Sequence, residues 1–513
     1  MLTDETYGVD AAVVHPYSNP LLDEDWPDPD AIRVGDDYYL VTSSFNRSPG
    51  LPVLHSRDLV TWTLLTHALD RVGPDSYNSL PRHGGGVWAP SIRHHDGQFH
   101  IVFPDPDRGI FVTSASDPAG PWSTPRLLLA GLGLIDPCPL WGADGRTWLV
   151  HGWARSRAGV KNQLSVIPVD DALTAPTGPG AEVVDGADFG RETLEGPKFY
   201  ERDGWYWIFA PAGGVATGFQ GVLRSRSPLG PYEARTVLAQ GSTDVNGPHQ
   251  GAWVAASDGT EWFLHFQDRG VFGRVLHLQP LIWRDGWPVI GTPVDGEDWG
   301  EPVAQYRGPD GRGELPIQRR SLITGDSFSA GLNPAWRWQA DPGDWALASD
   351  GELKLTGPAL DGGNLRTLPS VLGQVLPGTG VRLETSLSLD GPPGSRAGVG
   401  VLGYDYGWVG LVATRGGAEV VAAVRASDSG AETREVLAVV APGSQVEIAV
   451  EVTSEAGVAL QVRIEDGWHA SNLTFVAREG QWIGADLVLF AAAPLGGIKS
   501  VATFAAVEIE VGR

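Results

Sequence analysis

The 513-residue sequence predicts an all-β protein with two domains, a five-bladed β-propeller followed by a β-sandwich. Three observations predict this fold class. An Asp/Gly turn followed by an aromatic-rich strand recurs five times before residue 290. Strands with a two-residue period fill the chain after residue 320, and no long stretch has the periodicity of a helix. The 68 glycines, 39 prolines and 20 tryptophans suit many short strands joined by tight turns.

The repeat of turn and aromatic strand predicts the propeller. The aspartates that mark the five turns are Asp36, Asp96, Asp144, Asp203 and Asp258, at spacings of 60, 48, 59 and 55 residues. Most copies are followed by a second turn with its own aromatic residue, so that each unit contains about four strands. A unit of about 50 residues with four strands is a propeller blade. We therefore assign residues 1–305 to a five-bladed propeller.

The register of the repeat predicts a site. Eight residues before each turn aspartate, the chain carries an acid in three blades and no aliphatic residue in any blade. These positions are Asp28, Trp88, Asp136, Glu195 and Gln250, with His249 beside the last. Because the innermost strands of a propeller line its central channel, equivalent positions of all blades converge at one mouth of that channel. His249 is expected either to line the channel or to be a buried core histidine.

The second domain is predicted from a change in pattern. The segment 306–320, rich in glycine and proline, has the composition of a linker. The segments that follow alternate with a two-residue period, which indicates a β-sandwich over residues 321–513. They include ETSLSL, GVGVLG, EVVAAVRA, QVEIAVEV and ALQVRIED.

The net charge and the cysteine content limit the classes of partner and the compartment that suit this sequence. The 37 basic and 62 acidic residues give a net charge of −25, which disfavours nucleic acid and anionic membranes and suits an uncharged substrate. No apolar run reaches the length of a membrane span, and the first residues lack the pattern of a signal peptide. The lone Cys138 excludes internal disulfides and fits a reducing compartment, so a cytoplasmic location is expected.

Three carboxyls around one channel have a specific chemical use. Hydrolysis of a glycosidic bond needs a protonated carboxyl that donates to the leaving oxygen and an ionised carboxyl that activates water or attacks directly. A third acid nearby raises the pKa of the proton donor through its negative charge. This chemistry requires no cofactor or metal. Aromatic residues such as Trp88 and Phe45 would stack against the C–H face of a sugar.

Several motifs together resemble glycoside hydrolase family 43. These motifs are Asn19-Pro20-Leu21-Leu22, Trp26-Pro27-Asp28-Pro29-Asp30, Ser43-Ser44-Phe45, Gly86-Val87-Trp88-Ala89-Pro90-Ser91, Asp136-Pro137, Glu195-Gly196-Pro197-Lys198, Asn246-Gly247-Pro248-His249-Gln250-Gly251 and Gly273-Arg274-Val275-Leu276-His277-Leu278-Gln279-Pro280. The second domain is similar to the lectin-like, concanavalin-type sandwich that follows the propeller in β-xylosidases of this family. In some relatives a loop of that sandwich closes the pocket, and the segment 481–486 is a candidate for this loop, although it departs from the family pattern.

The resemblance implies roles for individual residues. Asp28 would be the general base, Glu195 the general acid, and Asp136 the modulator that also orients the acid. Phe45 and Trp88 would line the sugar pocket and Arg274 would contact substrate at its floor, with His249 as a further substrate-binding residue. Because the family inverts, the base and the acid are expected roughly 6.5–9.5 Å apart. A homo-oligomer and a calcium ion beside His249 are both compatible with these residues.

The function that the resemblance implies is exo-acting release of β-D-xylose from xylo-oligosaccharides. α-L-Arabinofuranosidase activity is the alternative, because both sugars place similar atoms around the same acids. A retaining, fructan-cleaving propeller enzyme would carry Trp-Met-Asn-Asp-Pro and Arg-Asp-Pro motifs, and the sequence has neither. An inactive sugar-binding protein is a further alternative, which the presence of all three acids disfavours.

Overall fold

A computed structural model describes residues 16–309, 321–360, 363–426, 430–465, 467–496 and 499–512. Five sheets follow one another along the chain up to Ile290, each built on four consecutive antiparallel strands. This arrangement is the predicted five-bladed propeller. Residues 1–15 and most of the predicted linker at 306–320 lie outside the described residues.

The blades are built from these strands in chain order. Blade 1 contains Asp30–Val34, Asp37–Val41, Gly50–Ser56 and Trp62–Leu69. Blade 2 contains Ser91–His95, Gln98–Asp105, Gly109–Ala115 and Arg126–Ala130. Blade 3 contains Leu134–Trp141, Thr147–Trp153, Gln163–Val169 and Ala181–Asp185. Blade 4 contains Lys198–Arg202, Trp205–Ala212, Phe219–Ser225 and Glu233–Leu238, and is extended by Gly300–Glu301 and Thr292–Pro293. Blade 5 contains His249–Ala255, Glu261–Asp268, Arg274–Arg284 and Trp287–Ile290.

The predicted turns join the first two strands of each blade. In blades 2 and 4 both turn residues have positive φ, at 46° and 72° for Asp96 and Gly97 and at 53° and 68° for Asp203 and Gly204. Two positive φ values are the requirement of a type I′ turn, which Asp-Gly meets with little strain. The aromatic and β-branched residues after each turn then form the second strand, as the repeat predicted.

Hydrophobic clusters between neighbouring blades hold the ring together. One cluster joins each successive pair of blades, and Leu40 of blade 1 shares a cluster with Leu264 of blade 5, which closes the ring. The strand Pro16–Ser18 also pairs with Gln305–Arg307, so the propeller pairing extends two residues beyond its predicted end. Burial of apolar surface between sheets is the main stabilising contribution here.

The second domain consists of two packed antiparallel sheets, as the alternating pattern predicted. One sheet contains Arg337–Trp338, Leu372–Val375, Asp486–Ala492, Arg396–Leu402, Tyr406–Ala413, Ala418–Arg425 and Thr433–Val440. The other contains Ala346–Ser349, Glu352–Gly357, Ser500–Phe504, Val381–Asp390, Val446–Val452, Gly457–Ile464 and Gly467–Ala470, with Phe475–Val476 and Glu508–Val511 paired beside it. Alternate residues of both sheets fill one core.

Helices are few and short in the described residues. They are the α-helix Arg155–Ala158 and the 3₁₀ helices Asp75–Tyr77, Gly186–Phe189, Gly270–Phe272 and Leu365–Thr367. In the described part of the chain no helix has both the length and the apolar character needed to cross a membrane.

The two domains pack directly on each other. Phe272 of the propeller lies in the hydrophobic core of the sandwich. The backbones of Ser48 and Trp338 exchange hydrogen bonds in both directions. The backbone N–H of Ala485 donates to the Val271 carbonyl, which holds the segment 481–486 of the sandwich against the propeller.

Candidate active site

The five positions predicted from the repeat lie where each blade begins its innermost strand. Asp28, Trp88 and Glu195 come just before the first strand of their blades. Asp136 and Gln250 lie within theirs, at points where the pairing register shifts. A bulge re-aims a side chain out of the regular alternation of a strand. Asp28, Asp136 and Gln250 also share a left-handed backbone, with φ of 55°, 54° and 43°.

These five side chains line one pocket of about 370 Å³. The repeat therefore identified residues that meet in space. Of the seven site residues predicted from the sequence, all but His249 line this pocket. The other lining residues are Ala89, Ile135, Trp153, Ala154, Arg155, Ser156, Lys161, Asn162, Thr193, Leu194, Gly214, Val215 and Trp482.

Asp28 is held by two donors. Arg274 donates from Nη1 to Asp28 Oδ1 at 2.6 Å, and the Ser43 hydroxyl donates to Oδ2 at 2.5 Å. Both contacts are buried, and only 6% of the Asp28 side chain is exposed. A carboxylate oxygen accepts two hydrogen bonds, so each oxygen keeps an acceptor position for a water molecule.

Glu195 is the most accessible of the three acids, with 28% of its side chain exposed. His249 lies behind it, fully buried, with Nε2 3.0 Å from Glu195 Oε1. The sequence placed His249 among the substrate-binding residues. The structure instead places its ring outside the pocket lining, where it orients the Glu195 carboxyl.

Asp136 is buried and accepts a hydrogen bond from the backbone N–H of Gly196 at 2.8 Å. Burial, followed by the negative charge of Glu195, raises the pKa of Asp136 to about 8. The charge of Asp28 adds to this effect, while the Gly196 N–H and the Lys198 ammonium oppose it. We expected Asp136 to be the ionised partner of a protonated Glu195. Burial instead raises the pKa of Asp136 itself, so this carboxyl is protonated at neutral pH.

Aromatic residues form the walls of the pocket. The rings of Phe45 and Trp88 lie 6.2 Å apart, and the two loops are joined by hydrogen bonds between the backbones of Phe45 and Val87. Trp153 of blade 3 and Trp482 of the sandwich complete the lining. Trp482 is about half exposed, with a φ of 67°. The sandwich loop that the sequence suggested as a cover therefore reaches the pocket.

Buried ion pairs fix this loop to the propeller. Arg47 donates to Asp25 at 2.8 Å and to both carboxylate oxygens of Asp486 at 3.0 and 2.7 Å. Asp25 also accepts from the backbone N–H groups of Gly484 and Arg274, at 3.1 and 3.0 Å. One carboxylate thus connects the sandwich loop to the residue that holds Asp28.

The comparisons with known proteins agree with this architecture. Residues 17–288 match the model of glycosyl hydrolases family 43, and residues 326–510 match the β-xylosidase C-terminal concanavalin A-like domain. A putative β-xylosidase of Xylanibacter ruminicola is 39% identical over 402 residues, which are 77% of this chain and 72% of that protein. The chain belongs to glycoside hydrolase family 43.

Two further relatives differ in the sugar that their names specify. A β-xylosidase of Formosa agariphila is 31% identical over 64% of this chain and 60% of its own length. A non-reducing end α-L-arabinofuranosidase of Bacteroides ovatus is 32% identical over 67% of this chain and 66% of its own length. Among solved structures, a xylan β-1,4-xylosidase from Bacillus halodurans superimposes with a TM-score of 0.83 at 23% identity, over 96% of this chain and all of that one. That structural likeness supports the two-domain fold of this family 43 hydrolase.

Several residues of the family 43 site were not selected as site residues from the sequence. Gln250 stood in the register of the repeat, but His249 was selected instead. Ser43 belongs to one of the family motifs but was not selected, and Trp153 carried no signal. Lys198 follows the Glu-Gly-Pro motif and is fully buried, with Nζ donating to the Pro90 carbonyl at 2.7 Å and contacting the Ser91 hydroxyl at 2.9 Å. Its contacts join blade 4 to blade 2 near Asp136, which a sequence motif does not reveal.

A calcium ion beside His249 was a further expectation. Calcium takes six to eight oxygen ligands. Among the described residues, the grouping of His, Asp and Glu side chains close enough to share an ion is His95, Asp96 and Asp171, at the turn end of the blades. His249 faces one carboxylate, Glu195, and its Nδ1 is buried without a described partner. These residues do not form an oxygen cage for calcium.

Proposed function

We propose that the chain is an exo-acting, inverting β-xylosidase that releases D-xylose from the ends of xylo-oligosaccharides. The observation that carries the proposal is the convergence of Asp28, Asp136 and Glu195 in one pocket, each held by a different set of partners. Names of relatives that specify β-xylosidase activity support the choice of sugar. The pocket volume lies at the small end of the range for ligand sites, which favours removal of a terminal sugar over cleavage within a polymer.

In the proposed reaction, Asp28 accepts a proton from a water molecule while the water oxygen attacks the anomeric carbon. Glu195 gives its proton to the glycosidic oxygen as the bond from that oxygen to the anomeric carbon breaks. Arg274 and Ser43 keep the Asp28 carboxylate in place, and His249 keeps Glu195 in place. Below about pH 8 Asp136 holds a proton. A sugar that covers Glu195 removes its water, which favours transfer of that proton from Asp136 to Glu195.

The choice of sugar is tested with a pair of aryl glycosides. We expect kcat/KM for aryl β-D-xyloside to exceed that for aryl α-L-arabinofuranoside. The relative named α-L-arabinofuranosidase makes that activity the second candidate, and the reverse ratio would establish it. No hydrolysis of either glycoside, or of xylobiose, would contradict both.

The stereochemistry is tested by proton NMR of the first product. Inversion predicts that a β-xyloside releases α-xylose before mutarotation, and that methanol gives no transfer product. Initial β-xylose would make Asp28 a nucleophile, with its carboxyl roughly 5–5.5 Å from that of Glu195.

The cytoplasmic location is also proposed. The single cysteine, Cys138, is buried and free, as is usual where thiols stay reduced. Imported oligosaccharides would then be the natural substrates.

A further inference from the structure

The charged residues of the pocket are distributed in an unusual way. The chain has 62 acidic and 37 basic residues. Yet apart from the three predicted catalytic carboxyls, every charged residue that lines the pocket in the described structure is a cation: Arg274, Arg155 and Lys161. Arg274 is buried and holds Asp28, whereas Arg155 is exposed and Lys161 is partly exposed. Arg155 and Lys161 thus form a positively charged rim of the pocket. Such a rim on an acidic protein calls for a specific explanation.

The rim cations lie on the side of the general acid. Arg155 and Lys161 belong to the connection between Thr147–Trp153 and Gln163–Val169 of blade 3. Asn162 in this connection accepts a hydrogen bond from the backbone N–H of Thr193 at 2.5 Å, two residues before Glu195. The general acid protonates the oxygen of the leaving group, so the leaving sugar must lie next to Glu195. The 155–162 segment therefore borders the leaving fragment rather than the terminal xylose.

Arg155 is the cation available for a ligand. Lys161 lies 3.6 Å from Glu192, and Arg157, which does not line the pocket, pairs with Asp107 at 3.2 Å. No residue in the described ranges forms an ion pair or a hydrogen bond with the Arg155 guanidinium. Trp153 lines the same pocket, which therefore offers an aromatic surface for a sugar ring as well as a free guanidinium. Guanidinium groups bind carboxylates through two parallel hydrogen bonds.

We propose that this rim, with Arg155 at its centre, binds a carboxylate on the leaving part of the substrate. The preferred substrates are then xylo-oligosaccharides that carry a uronic acid on a sugar next to the released xylose. The inference rests on the proposed function, because it assigns the 155–162 segment to the leaving-group side of a hydrolysis. It adds a class of substrate, since the three carboxyls and the aromatic walls require no charge on the sugar.

The test compares xylotriose with xylotriose that carries glucuronic acid on its middle or reducing-end sugar. The measured quantity is the ratio of kcat/KM for the acidic substrate to that for the neutral one. We expect a ratio above one in the native enzyme and a fall of about tenfold in Arg155→Gln, because a hydrogen-bonded charge pair is lost. Arg155→Glu should lower the ratio further. Higher salt should lower the native ratio, since the rim is exposed.

Arg146→Gln is the matched control. Arg146 is an exposed arginine of the same blade, at the turn end away from the pocket, and its removal changes the net charge equally. The control should keep the native ratio. An equal ratio in the native enzyme, Arg155→Gln and Arg155→Glu would overturn the proposal while leaving the β-xylosidase activity intact.

If neither substrate is hydrolysed, the proposed function fails. A binding measurement then tests the proposal about the rim separately. Calorimetric titration of native protein and Arg155→Gln with the acidic trisaccharide still tests the rim. Weaker binding to the variant supports it, and equal binding overturns it.

Discussion

Two buried Arg–Asp pairs serve different parts of the molecule, although their aspartates are only three residues apart in the chain. Asp28 pairs with Arg274 at the floor of the pocket, and Asp25 pairs with Arg47 at the junction of the two domains. Asp25 has no exposed side-chain surface and accepts from three groups of the protein. Asp28 accepts from two groups and lines the pocket.

The difference lies in acceptor capacity and access rather than in residue type. A carboxylate whose acceptor positions are mostly taken by protein donors fixes backbone segments relative to one another. A carboxylate with unused acceptor positions at a pocket wall is able to receive a proton from water. The same kind of ion pair is therefore structural at the domain junction and chemical at the pocket wall, because only the carboxylate at the pocket has acceptor positions open to water.

The largest expected effect comes from Asp28→Asn. The amide is a far weaker proton acceptor than the carboxylate, so kcat should fall by about 10³ to 10⁴, at the upper end for general base catalysis. Substrates with very acidic leaving groups should lose activity equally, because water activation is needed for all of them. Steady-state rates on both kinds of substrate check this. Near-normal rates would show that another group activates the water.

Asp25→Asn is the matched control for Asp28→Asn. An amide there places an NH₂ group against one of the three donors that Asp25 now accepts. We expect a lower midpoint of thermal unfolding and a kcat much closer to native for the protein that remains folded. A loss of kcat equal to that of Asp28→Asn, with unfolding unchanged, would remove the distinction between the two pairs.

Glu195→Gln should have the next largest effect, and it should depend on the leaving group. On xylobiose, whose leaving oxygen needs a proton, kcat should fall by about 10² to 10³. On a dinitrophenyl xyloside, which needs little protonation, most of the activity should remain. Equal losses on the two substrates would assign Glu195 a role other than proton donor.

The fold and the pocket could be predicted because they depend on periodicity. Asp-Gly turns at regular spacing specify the hairpins, and a fixed offset from each turn places Asp28, Asp136 and Glu195 at one mouth of the channel. The remaining contacts depend on side chains distant in sequence. Arg47 meets Asp486 across 439 positions, and Lys198 meets Pro90 across 108. No local pattern encodes such contacts.

Burial also decides between neighbours that the sequence cannot separate. His249 and Gln250 are adjacent, and the bulge at Gln250 sends one side chain behind Glu195 and the other into the pocket. The location of the raised pKa is a second example. Asp136 carries it mainly because it is buried, and the extent of burial is a property of the folded chain.

Asp136→Asn should have an intermediate effect and should change the pH dependence. With the pKa of Asp136 at about 8, the alkaline limb of kcat/KM should lie near pH 8 in the native enzyme. Asparagine takes away the second carboxyl of the interacting Asp136–Glu195 pair, so the site should lose its proton at lower pH and the limb should move down with a lower maximum. An unchanged limb would give Asp136 the purely structural role of Asp25.

The same substitution has a predicted effect on stability. Because the folded pKa of about 8 lies above the ordinary 3.8, the stability that protonated Asp136 contributes is present below pH 4 and is lost as pH rises through 8. Asparagine does not titrate. The unfolding midpoint of Asp136→Asn relative to native should therefore rise between pH 5 and pH 8. Burial also raises the pKa of Glu24, to about 7. Glu24 is common to both proteins, so its contribution cancels in this difference.

The smallest expected effect on rate comes from Arg47→Met, which tests the structural pair directly. It leaves Asp25 and Asp486 buried without their shared cation, and breaking such a pair costs roughly 3–5 kcal/mol of unfolding free energy. The backbone N–H groups of Gly484 and Arg274 still bind Asp25, so kcat of the folded protein should fall by no more than about tenfold, or about 1.4 kcal/mol.

Arg57→Met is the matched control, because Arg57 is 72% exposed in its pair with Asp37 and should contribute about 1 kcal/mol or less. Denaturant unfolding and kcat of all three proteins measure both quantities. If Arg47→Met unfolds like native but loses rate as Asp28→Asn does, the junction pair acts on the chemistry and the contrast between the two pairs is wrong.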